Sequence, residues 1–182
     1  MFMHKHTILG VAAAAMLAAC TTPLMGPQPL PQGLDLGRVV SAEEIKAWDI
    51  SIPPSGAGLP PGSGSVKQGA AVYAAKCEAC HGANGTGKPV DALVGGQGTL
   101  ASGTPVRTVG SYWPYATTLF DYVRRAMPTN APKSLTDSEV YAVSAYVLQL
   151  NGIIAQDAVM NAQTLPQVKM PNRDGFIDYS GK

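Results

Sequence analysis

The sequence is short of the groups on which most protein chemistry depends. Its 182 residues hold three cysteines and three histidines, and beyond His81 neither type occurs again. That deficit excludes a zinc site of the usual four-ligand kind, because the only others, His4, His6 and Cys20, lie in or beside an apolar N-terminal leader. Charge is scarce as well. Thirteen bases against twelve acids leave a net charge of +1, which excludes the strongly basic field of a nucleic-acid binder and any acidic tail. No phosphate loop is present: Gly87-Lys88 runs into Pro89 instead of Ser or Thr, with no strand before it. A membrane span needs roughly 20 apolar residues, and the N-terminal run Ile8 to Ala19 stops well short of that. What the chain does have is 20 glycines and 15 prolines, a composition suited to one small domain with long irregular segments.

Against that background one stretch stands out, Cys77-Glu78-Ala79-Cys80-His81. Two thiols three positions apart can each add across one vinyl group of a haem, and the adjacent imidazole is then delivered to the iron. A bare CxxC also serves as a redox pair, but a thioredoxin-like motif wants a βαβ context, and the flanks here are helical and glycine-rich. The expectation is one covalent haem c on Cys77 and Cys80, with His81 as proximal ligand. For the opposite side of the iron the sequence favours Met127, set in a turn by Pro128 after a helix, over Met160 and Met170. With both thiols so used, no disulfide remains and stability must come from haem and core.

The leader has Lys5 flanked by His4 and His6, the apolar run, and Leu17-Ala18-Ala19-Cys20 at its end. This is the anatomy of a lipoprotein signal peptide over residues 1–19, with Cys20 acylated as a lipid anchor; an ordinary secreted protein cut at a nearby small-residue site is the plainer reading. Each buried methylene of an acyl chain contributes about 0.8 kcal/mol, so two or more chains would hold the protein on a membrane surface. Either way the mature protein leaves the cytoplasm.

Residues 20–33 then form a proline-containing tether, and residues 34–64 an N-terminal extension. In that extension a capping-box pattern at Ser41 to Glu44 predicts a short helix from Glu43 to about Asp49 with Ile45 and Trp48 facing inward. Ile52 to Gly64, rich in Pro and Gly, reads as a wrapping loop. Residues 65–151 make the main domain. Ser65 caps a helix from Val66 through Ala79, on which Gly69, Val72, Tyr73 and Cys80 share a stripe. Gly69 in mid-helix costs roughly 1 kcal/mol relative to Ala, which suggests that a second helix crosses there. Gly82 to Gly110 is a glycine-rich loop. Tyr112-Trp113-Pro114-Tyr115 follows, where two readings stay open: packing, or a hydrogen bond from Tyr112 or Trp113 to a haem propionate, with Arg107 as a further edge contact. Thr117 to Ala126 reads as a helix with Leu119, Phe120 and Val123 inward, and Arg124 and Arg125 at its C-terminal end. Thr136 to Glu139 is a second capping box, opening a helix from Asp137 to Leu150 whose apolar face should cross the first helix near Gly69. Residues 152–182 read as an irregular tail packed on the domain.

That order of helix, CxxCH, glycine-rich loop, aromatic cluster, helix, Met-Pro and capped C-terminal helix resembles class I cytochrome c over Ser65 to Asn151. A closer likeness runs through Gly62 to Ser65, Leu93 to Leu100, Thr108 to Tyr122 and Leu165 to Arg173; it is similar to the cytochrome subunit of Sox-type sulfite and sulfane dehydrogenases. The resemblance implies an all-α class I fold with wrapping N- and C-terminal segments. It implies haem attachment at Cys77 and Cys80, axial ligands His81 and Met127, and a periplasmic electron-transfer subunit fed by a molybdenum subunit and emptied by a downstream cytochrome or oxidase. The chain departs from two-haem members of that group in having a single CxxCH. A generic respiratory carrier is the alternative, and a peroxidase or haem sensor is disfavoured because no distal His exists and a sixth ligand is supplied. Seven bases lie between Val66 and Lys133, namely Lys67, Lys76, Lys88, Arg107, Arg124, Arg125 and Lys133, against Glu78, Asp91 and Asp121. Five of them, Lys88, Arg107, Arg124, Arg125 and Lys133, would steer an acidic donor toward the haem edge.

Overall fold

In the computed structural model, residues 37–180 are described; the leader, the Cys20 anchor, the tether and the first three residues of the N-terminal extension lie outside them. Chain contacts divide the molecule after Ser41. Of the first unit only residues 37–41 are described, and they carry neither helix nor strand. The second unit holds helices α1 (Ala42–Trp48), α2 (Val66–Lys76), α3 (Glu78–His81), α4 (Ala116–Ala126) and α5 (Asp137–Leu150), with strands β1 (Ser63–Ser65) and β2 (Val159–Asn161).

Helix α5 is the central element. Thr136 accepts from the Glu139 amide while the Glu139 carboxylate accepts from the Thr136 amide, closing the expected box. Residues Val140 to Ala145, Val147 and Leu148 are all buried. Burial therefore runs most of the way round the helix instead of along one face, because α2, α4 and both strands pack on it. Helix α2 begins at Ser65 with a reciprocal box to Gln68 and meets α5 where glycine removes the side chain. A Cβ built on Gly69 would collide with the Ala142 carbonyl and lie 2.7 Å from Tyr146 Cβ. The crossing thus lies at the expected residue. Lys76 closes its far end with an ion pair to Glu139 at 2.8 Å.

Three expectations are corrected. Helix α1 turns Ile45 and Trp48 outward, 52% and 84% exposed; Ile52, from the loop that follows, occupies the core instead. The haem helix does not run through Ala79. It breaks at Cys77 (φ −126°, ψ −38°) and restarts as the single turn α3, whose Cys80 and His81 amides both bond to the Cys77 carbonyl, so Cys80 is exposed rather than on the buried stripe. The tail is not wholly irregular: β2 pairs antiparallel with β1, Gly64 opposite Met160, and Met160, Leu165 and Met170 enter the core. Strands of three residues are too short to show a two-residue period.

The wrapping loop is tied down by buried polar contacts. The Ile52 amide donates to Asp121 at 2.9 Å, Tyr141 Oη to the Pro60 carbonyl at 2.9 Å, and Thr117 Oγ1 to the Pro54 carbonyl at 3.2 Å. Among the described residues no helix is long and apolar enough to cross a membrane.

Candidate functional site

The glycine-rich loop has almost no secondary structure, so side chains supply the partners that its backbone needs. Thr108 Oγ1 donates to the Gly95 carbonyl at 2.6 Å and accepts from the Gly110 and Ser111 amides, while Ser111 Oγ donates to the Val106 carbonyl. Asn151, just past α5, accepts from the Gly95 amide at 3.1 Å and donates to the Leu93 carbonyl at 3.1 Å. These bonds hold the loop against the end of α5 with Leu93 as part of a cavity wall. In the sequence Asn151-Gly152 reads only as a helix stop; its clamp on a loop about 56 residues away has no local signal.

The cavity has a volume of about 80 Å3 and an almost wholly apolar lining. Cys77 and His81 line it from the α2–α3 break, Trp113, Leu119 and Val123 from the aromatic segment and α4, Met127 from the turn after α4, and Val143, Ser144 and Val147 from α5. A second, open cleft of about 640 Å3 shares Cys77 and His81 with it and is bounded by Cys80 and by Pro128 to Ala131. Both cysteines, the histidine and the favoured methionine are thus brought together. Met160 and Met170 are buried elsewhere in the core and line neither space.

The chemistry of this lining fits a covalently held haem. His81 Nδ1 faces the Asp91 carbonyl at 3.3 Å; a carbonyl only accepts, so Nδ1 carries the proton and Nε2 keeps its lone pair for a metal. Burial pushes the Cys77 thiol up to about 11, partly offset by Lys76 and reinforced by Cys80. A thiol so protonated is a poor redox nucleophile or zinc ligand. Among the described residues no cluster of His, Cys, Asp and Glu is suited to a metal ion. Met127 Sδ accepts a hydrogen bond from Thr129 Oγ1 at 3.6 Å.

The propionate candidates divide. Trp113 lines the cavity and stacks edge-on against Tyr122, ring centroids 5.6 Å apart. Tyr112 and Arg107 line neither space: the Tyr112 ring takes the Arg107 guanidinium at 5.6 Å and the edge of Phe176 at 5.2 Å. Their role in the structure is to pin the C-terminal tail, which Asn172 also ties to the Tyr112 carbonyl at 2.7 Å. Two of the five steering bases are committed elsewhere. Arg124 pairs with Asp137 at 2.9 Å and Arg125 with Asp121. Tyr73, expected on the stripe that bears the CxxCH, and Val147, on the apolar face of α5, both line the cavity, whereas Ser144 had no signal in the sequence that marks it as a wall residue.

Comparison with known proteins agrees with this geometry. The cytochrome c family model matches residues 66–151. A chain in the crystal structure of the sulfane dehydrogenase SoxCD from Paracoccus pantotrophus is 42% identical, superimposes with a TM-score of 0.74, and is covered to 73% by 81% of this chain. Thiosulfate dehydrogenase of Allochromatium vinosum is 30% identical over 119 residues, 65% of this chain, which spans only 40% of that protein's length. With a mostly helical fold, the CxxCH turn at the wall of an apolar cavity and this likeness, the chain belongs to the cytochrome c family, whose members hold haem c covalently.

Proposed function

We propose that this chain is a periplasmic mono-haem electron carrier that takes single electrons from a molybdenum-containing sulfite or sulfane dehydrogenase and passes them to a downstream cytochrome or oxidase. The observation that carries the reading is the convergence of Cys77, His81 and Met127 on one apolar cavity. The single CxxCH in 182 residues supports one haem, and the likeness to a sulfane dehydrogenase and a thiosulfate dehydrogenase supports the sulfur context. Anchoring through acylated Cys20 rests on the leader alone.

Bound haem supplies a one-electron iron couple. The residues of the chain do the rest. Cys77 and Cys80 would hold it by thioethers, His81, its Nδ1 turned to the Asp91 carbonyl, would offer Nε2 to the iron, and Met127 would offer a thioether sulfur, which favours the reduced state. Leu93, Val143 and Val147 keep water from the interior face, and Trp113 is the propionate candidate that lines the cavity. Around the open cleft, apart from Lys76, which is paired to Glu139, stand the short uncharged side chains of Ala75, Ala79, Pro128, Thr129, Asn130 and Ala131, which let a partner approach closely.

The deciding experiment is stopped-flow reduction of the purified cytochrome by a sulfite dehydrogenase plus sulfite across salt concentrations. Fast reduction is expected. With Arg124, Arg125 and Lys76 already paired to acids, the rate should fall only modestly as the Debye length shrinks from about 30 Å at 0.01 M to about 10 Å at 0.1 M. Should enzyme and sulfite leave the haem oxidised while another periplasmic donor reduces it, the sulfur assignment is wrong and a general carrier remains.

A further inference from the structure

One polar atom in the cavity wall is unaccounted for. Ser144 lies in the middle of α5, fully buried, and its Oγ has no hydrogen-bond partner among the described residues. A serine in mid-helix ordinarily disposes of its hydroxyl on the carbonyl four residues back; Ser144 does not. An unpaired buried hydroxyl carries an uncompensated desolvation penalty, and its neighbours along this wall, Val143 and Val147, offer it nothing. Alanine would fill the same helical position with better propensity and no penalty. The hydroxyl is therefore unfavourable for the protein alone, and its position on the cavity wall directs attention to what the cavity holds.

We propose that Ser144 is a redox-responsive dipole that lowers the haem potential. The proposal rests on the reading that haem occupies this cavity. Removal of one electron leaves one additional positive charge there, in surroundings of low dielectric where a dipole acts strongly. A hydroxyl with no fixed partner is free to rotate about its Cβ–Oγ bond and turn its oxygen toward that charge. No proton leaves and no covalent bond changes; the electron passes to the acceptor and only the orientation of O–H differs. The oxidised form is stabilised more than the reduced one, because the reduced site presents less positive charge to the oxygen. Ser144 thus offsets part of the upward pull of the Met127 thioether, keeping the carrier reducing enough to hand its electron on. It is a tuning residue and makes no bond to the iron.

The test is spectroelectrochemical titration of the holoprotein and of Ser144→Ala and Ser144→Thr. At a fixed electrode potential the ferrous to ferric ratio in Ser144→Ala should rise about threefold, the effect of a hydrogen-bond-sized interaction. The shift should be the same across neutral pH, since no proton is exchanged. Ser144→Thr keeps the hydroxyl and should return the ratio toward wild type, and melting of Ser144→Ala should be no lower than that of the parent. A ratio in Ser144→Ala that is unchanged, falls, or varies with pH overturns the proposal. Absence of covalent haem from the wild type would instead overturn the functional reading beneath it.

Discussion

Replacing Gly69 with alanine should destabilise the protein, although the same change in an unpacked helix would stabilise it by about 1 kcal/mol. The sign is reversed by the crossing. An added methyl at this position meets the Ala142 carbonyl carbon at 2.6 Å and Tyr146 Cβ at 2.7 Å, and backbone atoms of a buried helix cannot step aside as a flexible side chain can. Separating α2 from α5 would loosen the largest helix contact of the fold and the ion pair of Lys76 with Glu139. Overpacking costs of about 1 to 3 kcal/mol are usual, so the melting temperature of the holoprotein should drop by about 10 °C for alanine, and Gly69→Leu should yield little folded protein. Gly64 approaches the same residue from β1, its added Cβ lying 2.6 Å from Ala142 Cβ, and should behave alike. A melting temperature that rises in Gly69→Ala would show that the two helices do not cross here.

Met127→Ala should leave haem attached and change its electronic state. Attachment depends on Cys77 and Cys80, which lie on a different element from the methionine, so covalent haem content should match wild type. The long-wavelength band of a thioether on ferric iron should vanish, and carbon monoxide should bind the reduced variant readily. The midpoint potential should fall by on the order of 100 mV, a modest part of the roughly 0.8 V that axial ligands span. Neither Met160 nor Met170 can substitute, because both are locked in the core, 5% and 3% exposed, on the side carrying β2 and the tail. If the band survives in Met127→Ala and is lost instead in a variant of one of those two, the ligand assignment is wrong.

The parts of this fold that could be read in the chain are those whose cause is local. The box at Thr136 and Glu139 starts α5 at the expected residue because both partners lie within one turn. CxxCH, Met-Pro and the odd glycine of α2 are local too, and each sits where the chemistry of its neighbours requires. What escaped were contacts made at long range. Trp48 follows a helical period with Ile45, yet the core is filled by Ile52, so the pattern had nothing to pack against. Arg124 looks like a free cation at a helix end; its acid, Asp137, comes from the start of the next helix. Tyr112 and Arg107 hold each other and the tail, not the cavity. Ser144 is the extreme case, a polar residue in an apolar helix that in sequence looks like a solvent position and in space has no solvent at all.

In the proposed carrier His81 and Met127 would close the iron on both sides, so that only electrons enter and leave. The most direct measurement is the visible spectrum of the dithionite-reduced wild-type protein before and after carbon monoxide is added. A closed carrier gives the sharp spectrum of six-coordinate ferrous haem c, unchanged by carbon monoxide over minutes. Prompt conversion to a carbon monoxide complex would mean an open axial position, and with it a haem that senses or reacts with small molecules instead of relaying electrons.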